Sequence, residues 1–191
     1  MTEVYFVRHA EPVHSWKEDR TRPLSEEGEE DSKKVTGFLK NIPVDVFISS
    51  PYKRSMDTIL GSASLAEIKI ITDERLRERQ QGSGYKNHDM IRMRWDDFNC
   101  CEDGGESLNS TQKRNIEALN EILSSYENKK IVIGTHGTAL STILNHYNPS
   151  FNVDSFFRII DFMPYILRLD FKGLNCVSIN ELLIIEKPYN P

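Results

Sequence analysis

The chain has 191 residues, a length that suits one domain with one sizeable core. Hydrophobic residues make up 38% of it and charged residues 28%, the balance of an ordinary globular protein, which excludes a disordered or low-complexity chain. A formal net charge of −5 leaves no basic face for a nucleic-acid backbone, so nucleic acid is excluded as a partner and any anion must be held by a local basic pocket.

Strands alternate with helical patterns nearly to the end of the chain. This predicts an α/β fold, a three-layer αβα sandwich on a mostly parallel central sheet. Val4-Tyr5-Phe6-Val7 marks a first strand over residues 3–8, followed by a loop to Leu24. Ser25-Glu26-Glu27 supplies an N-cap and an acidic first turn for a helix whose Val35, Phe38, Leu39 and Ile42 recur at helical spacing until Pro43 stops it. A second strand is predicted over 44–49, a helix opened by Pro51 over 54–66, and a third strand over 68–72. Residues 73–105 are the least regular stretch, an insertion of the kind that carries specificity. It holds a short helix at 89–98 with Met90, Met93, Arg94 and Asp97, the two methionines read as core-filling. Gly104-Gly105-Glu106-Ser107 leads into a long helix that buries Ile116, Leu119, Ile122, Leu123 and Tyr126. A strand over 131–135 and a short helix through Leu140, Ile143 and Leu144 follow. Residues 165–171 and 175–185 then pair as a C-terminal antiparallel hairpin turned at Lys172-Gly173. No internal repeat or linker interrupts the chain, so residues 1–191 are read as a single domain.

No apolar stretch reaches the ~20 residues that span a bilayer, and Met1-Thr2-Glu3 lacks the regions of a signal peptide. A cytoplasmic protein with no membrane partner is expected. Cys100, Cys101 and Cys176 form an odd set with neither metal-ligand spacing nor a disulfide framework, and are read as reduced structural thiols.

Two of the predicted strands end at histidines. Val4-Tyr5-Phe6-Val7 runs into Arg8-His9-Ala10-Glu11, and Ile131-Val132-Ile133-Gly134-Thr135 into His136-Gly137-Thr138. In an open α/β sheet reactive groups collect at the carboxyl ends of strands, so His9 and His136 are expected to face one crevice. Arg8 adds a planar fork of donors that suits a phosphate group. Arg54 behind Ser49-Ser50-Pro51, and Glu78 in the charged run 73–79, join them. Alone, each has a bland reading as a structural histidine, a surface arginine or a solvated glutamate; the constellation is what is specific. His14, His88 and His146 belong to no motif and are read as solvated or packed. Glu106 either lines the cleft or stands as a carboxylate at a helix N-terminus.

The set Val7-Arg8-His9-Ala10-Glu11, Pro23-Leu24-Ser25-Glu26-Glu27-Gly28, Ser49-Ser50-Pro51-Tyr52-Lys53-Arg54-Ser55, Leu76-Arg77-Glu78, Gly104-Gly105-Glu106-Ser107 and Gly134-Thr135-His136-Gly137 resembles the histidine phosphatase superfamily, with its phosphoglycerate-mutase-like fold. The motifs stand in family order across nearly the whole chain. The resemblance implies a phosphomonoester hydrolase in which His9 is the nucleophile. It implies that Arg8, Arg54 and His136 hold the phosphoryl oxygens, and that Glu78 protonates the departing alkoxide and then takes a proton from water. It implies a small phosphorylated substrate, no cofactor and no metal, because arginines and histidines neutralise the phosphate. A homo-oligomer stays open. The chain departs from the family where Ala10 replaces a common glycine, and where Pro12 and Ser15 stand in place of a hydroxyl and an asparagine that help bind phosphate; Ser15 is taken as a partial substitute. The runner-up is a phosphoglycerate mutase, which needs further cations to retain its substrate; Arg79, Lys86, Arg92 and Arg94 are the candidates for that clamp. A non-catalytic phosphate-binding module is the third reading, expected where core histidines or arginines are missing.

Overall fold

A computed structural model describes residues 1–84 and 87–187. Its strands are β1 (Thr2–Arg8), β2 (Val46–Ser49), β3 (Ile70–Thr72), β4 (Lys130–Thr135), β5 (Phe162–Lys172) and β6 (Asn175–Glu186). They form one sheet in the order β3-β2-β4-β1-β5-β6. The β1, β4, β2 and β3 pairings are parallel, whereas β5 runs antiparallel to β1 and β6 antiparallel to β5. The sheet is thus mostly parallel and closes on the antiparallel hairpin that the sequence predicts.

Alternation along β1 sends its side chains to both faces. Val4 and Phe6 pack with Leu119 of α4 (Leu108–Ser125) and with Leu140 and Ile143 of α5 (Gly137–Tyr147). Tyr5 and Val7 pack on the other face with Val35 and Leu39 of α1 (Glu26–Leu39) and Ile59 and Ala63 of α2 (Lys53–Leu65). Helices on both faces of a parallel sheet give the three layers.

Local chemistry explains most element ends. Ser25 Oγ accepts from the Gly28 N–H at 3.0 Å and caps α1. That helix stops at Leu39, short of the expected Ile42, because the Ile42 N–H bonds Leu39 O in a turn. β3 starts two residues later than the sequence predicts. Ile68 instead closes α2, its N–H reaching Ala63 O at 3.0 Å past a left-handed Glu67 at φ 57°. The short helix of the insertion is α3 (His88–Asp96), where Met93 is 52% exposed; the core-filling reading of that residue is corrected, since the apolar side of this short helix is carried by Ile91 and Trp95.

Among the described residues one α-helix escaped the sequence reading, α6 (Val153–Ile159). Its signal was present, since Asn152 Oδ1 caps it by accepting from the Asp154 and Ser155 N–H groups, and Phe156, Ile159 and Ile160 follow at helical spacing. Among the described residues no helix is long and apolar enough to cross a membrane. Cys100, Cys101 and Cys176 are unpaired, with Cys101 exposed.

Candidate active site

Register brings the two histidines together. Arg8 of β1 pairs with Thr135 of β4, and the His9 N–H extends the ladder to Thr135 O at 3.1 Å, so His9 and His136 leave adjacent strand ends side by side. Their rings meet edge to face with centroids 5.3 Å apart, and both are buried.

The hydrogen bonds fix the state of His9. Its Nδ1 lies 2.8 Å from the Ala10 carbonyl, which can only accept, so Nδ1 carries the hydrogen. Nε2 is then the lone-pair nitrogen, and it accepts from Arg54 Nε at 3.2 Å. Burial, followed by the charges of Arg54 and Arg8, pushes His9 well below the ordinary histidine range, so the ring is neutral at physiological pH. His136 is pushed the same way by burial and by Arg54. Its Nε2 lies 2.7 Å from Ser50 Oγ, while its Nδ1 is buried with no hydrogen-bond partner.

Two guanidiniums flank the histidines. Arg54 enters from the first turn of α2 and is anchored by donating to the Asp19 carbonyl at 2.6 Å, with the Asp19 carboxylate 3.1 Å away. Arg8 donates to the carbonyls of Ile159 and Ile160 at 2.6 and 2.9 Å, and its Nε is buried with no partner. Burial lowers Arg8 to about 10, which leaves it charged. Gly137 makes room for it: a Cβ there would lie 3.1 to 3.2 Å from the Arg8 guanidinium. Tyr52 packs against His136 and Arg54, its ring centroid 5.2 Å from that of His136 and 5.1 Å from the Arg54 guanidinium carbon.

Glu78 reaches the site from another direction. Its Oε1 accepts from the Arg79 N–H at 2.7 Å and the Ala139 N–H at 3.0 Å, and its Oε2 from the Thr138 N–H at 3.0 Å. It thereby caps α5, whose own N-cap residue, His136, makes no capping bond. Behind it Arg114 of α4 donates to the carbonyls of Arg75, Arg77 and Glu78 and to both oxygens of Glu106. Burial pushes the Glu106 carboxyl up, but Arg114, the Gln80 N–H and Arg77 outweigh it and hold it at about 2.

A cavity of about 410 Å³ opens over this group, lined by Arg8, His9, Arg54, Glu78, Gly137 and Thr138, with the residues of its outer wall beyond them. Five of the predicted site residues therefore converge: Arg8, His9, Arg54 and Glu78 line the cavity, and His136 lies behind His9. Ser15 does not converge. The Pro12–Leu24 bridge and the Val13–Trp16 turn put it at the exposed tip of its loop, and His14 lines the cavity instead. Glu106 does not line the cavity; it stands one residue before Ser107, the N-cap of α4, and its carboxylate is taken up by Arg114, Arg77 and the Gln80 N–H. Of the four clamp candidates, Arg79 and Arg94 reach the cavity, Arg92 lies outside it against Phe157, and Lys86 falls outside the described residues. His88 stacks on Phe157 and lines the mouth. Sequence reading gave no role to Ser50, Tyr52 or Arg114. Ser50 and Tyr52 sit inside a quoted motif; nothing in the local spacing marks Arg114.

A model of the histidine phosphatase superfamily (branch 1) matches residues 4–177. The chain is 29% identical over 150 residues to phosphoserine phosphatase 1 of Hydrogenobacter thermophilus, a match covering 71% of each chain. It is 29% identical over 161 residues to a probable phosphoglycerate mutase, GpmB, of Enterobacter, covering 76% of this chain and 74% of the relative. Among solved structures it superposes on Bacillus stearothermophilus YhfR with a TM-score of 0.76 at 25% identity, over 92% of this chain and 94% of the other.

Proposed function

The chain belongs to the histidine phosphatase superfamily, and on that premise we propose that it hydrolyses phosphate monoesters through a phosphohistidine on His9, without a metal ion. One observation carries this reading: His9 is buried, neutral and held with its Nε2 lone pair toward Arg54, the state that a nitrogen nucleophile at phosphorus requires.

The Nε2 lone pair attacks phosphorus, a P–N bond forms and the ester P–O bond breaks. Phosphoryl transfer depends on positioning and charge stabilisation more than on covalent help from the protein. Arg54 and Arg8 supply the positive charge. Arg8 Nε and His136 Nδ1 are two buried nitrogens of the site without a hydrogen-bond partner in the protein, and with His136 Nε2 accepting from Ser50 Oγ both are donors that a phosphoryl oxygen would satisfy. Glu78 gives its proton to the departing alkoxide. Its Oε1 already accepts two N–H bonds and its Oε2 one, so the lone pair that carries this proton lies on Oε2. In the second half water attacks the phosphohistidine, its proton goes to Glu78, and the P–N bond breaks.

The mutase reading is weaker, because Arg79 and Arg94, the cations it would use to retain a phosphoglycerate, are both paired with Glu102 at 2.7 Å. A binding module without chemistry fits poorly a site that retains both histidines and both arginines. Incubation with a reactive ester is expected to trap acid-labile, base-stable phosphate on the protein, and His9→Ala to abolish both labelling and turnover. Normal turnover in that variant would overturn the assignment.

A further inference from the structure

Beyond the phosphate pocket the cavity changes character. α3 and α6 form its outer wall with half-buried Ile91, Phe156, Phe157 and Ile160, and buried Met163. His88 stacks on Phe157 with centroids 4.4 Å apart and planes 3° from parallel. The arginines nearby are committed to acidic partners: Arg22 to Asp19 at 3.1 Å, and Arg79 and Arg94 to Glu102 at 2.7 Å each. Glu102 is buried, takes the Gly82 N–H at 2.9 Å as well, and is held at about 2 by its Arg79 and N–H bonds against the upward push of burial. Asp161 adds another carboxylate to the lining. A leaving group bearing its own carboxylate would meet arginines whose donors are already directed at shared carboxylates, Asp19 for Arg22 and Glu102 for Arg79 and Arg94, and would have to compete with buried Glu102 for them. An aromatic or bulky apolar leaving group would instead cover side chains that face the cavity half-exposed.

Resting on the phosphatase reading, we propose that this wall is the leaving-group subsite, and that the preferred substrates are monoesters of neutral alcohols carrying an aromatic or bulky apolar group, rather than carboxylate-bearing esters such as phosphoserine or phosphoglycerate.

Steady-state hydrolysis of 2-phenylethyl phosphate, n-propyl phosphate and 3-phosphoglycerate tests this; the first two leave as alcohols of similar acidity, so their difference reports the subsite. The expected kcat/KM for the phenylethyl ester exceeds that for the propyl ester by about tenfold or more, the scale of burying one ring. In Phe157→Ala that ratio is expected to fall to within about twofold, and because both rates come from one protein, partial unfolding cancels. Glu102→Gln, which releases two guanidiniums, should raise 3-phosphoglycerate relative to the phenylethyl ester by about tenfold; should it fail to fold, Phe157→Ala carries the test. Labelling of His9 by phosphoramidate, a donor too small to use the wall, separates the two claims. If His9 is labelled but the phenylethyl ester has no advantage, or keeps it in Phe157→Ala, the subsite is overturned and the phosphatase reading stands. If His9 is not labelled and no ester is hydrolysed, the phosphatase reading falls and the subsite with it.

Discussion

His9 and His136 are both pushed well below the ordinary histidine pKa of 6.5 by burial first and by the charge of Arg54 next. For the proposed attack on phosphorus this keeps the His9 lone pair available at pH values where a free histidine would be protonated. For stability it has a sign. Below pH 6.5 the unfolded chain takes up a proton at each of these positions and the folded chain does not, so protonation favours unfolding. The stability associated with the two neutral rings is complete above pH 6.5 and is lost as pH falls toward their folded-state values, at roughly 1 kcal/mol per pH unit for each histidine. Urea unfolding at pH 7.0, 6.0 and 5.5 is expected to show that slope, and His136→Asn to halve it. A flat profile over that range would mean that neither ring stays neutral in the fold, which for His9 would contradict its proposed role as nucleophile.

At the scale of elements, the meeting of Glu78 with the start of α5 decides how that residue can be tested. Glu78→Ala removes the acceptors of three backbone N–H groups, two of them at the exposed end of a helix dipole, and is expected to cost about 2 kcal/mol or more. Glu78→Gln keeps the shape and one oxygen, so its stability loss should be smaller, about 1 kcal/mol by the scale of a single cap. If Glu78 is the general acid, Glu78→Gln slows phosphorylation by alkyl phosphates about 10²-fold and by activated aryl phosphates much less, because an aryl oxide departs without a proton. Equal losses on both, measured in the burst phase, would make Glu78 a structural cap alone. The placement of Glu78 was only half legible in the sequence. The caps of α1 and α6 are written in adjacent residues, and the ends of β1 and β4 in their own hydrophobic runs. Glu78, by contrast, lies 60 residues from Thr138, and Arg114 holds carbonyls as far as 39 residues away, so no local spacing records either contact. Ser15 misled for the same reason: its residue type fits a phosphate, but where it points is set by a bridge between Pro12 and Leu24 on either side of it.

At the scale of the whole molecule, the site is a tie between distant parts of the chain. Arg8 ends β1 and His9 follows it, Arg54 lies in the first turn of α2, Glu78 follows the turn at Glu74–Leu76, and His136 links β4 to α5. Of these helices α2 packs on one face of the sheet and α5 on the other, and Arg8 also holds the carbonyls at the end of α6. A ligand that binds all of these groups at once binds only the folded chain, so its free energy adds to global stability. Vanadate, which takes the five-coordinate geometry of the transferring phosphoryl group, is the suitable probe. At 100 times its Kd it should add about 2.7 kcal/mol. For a domain of this size, where 1 kcal/mol is worth about 2–4 °C, that predicts a rise in Tm of roughly 5–10 °C. The shift should survive a chelator, since Arg8 and Arg54 carry the positive charge, and should vanish in Arg54→Ala at the same vanadate concentration. A shift that chelation removes would assign the charge to a metal ion, and one that persists undiminished in Arg54→Ala would take this guanidinium out of the pocket.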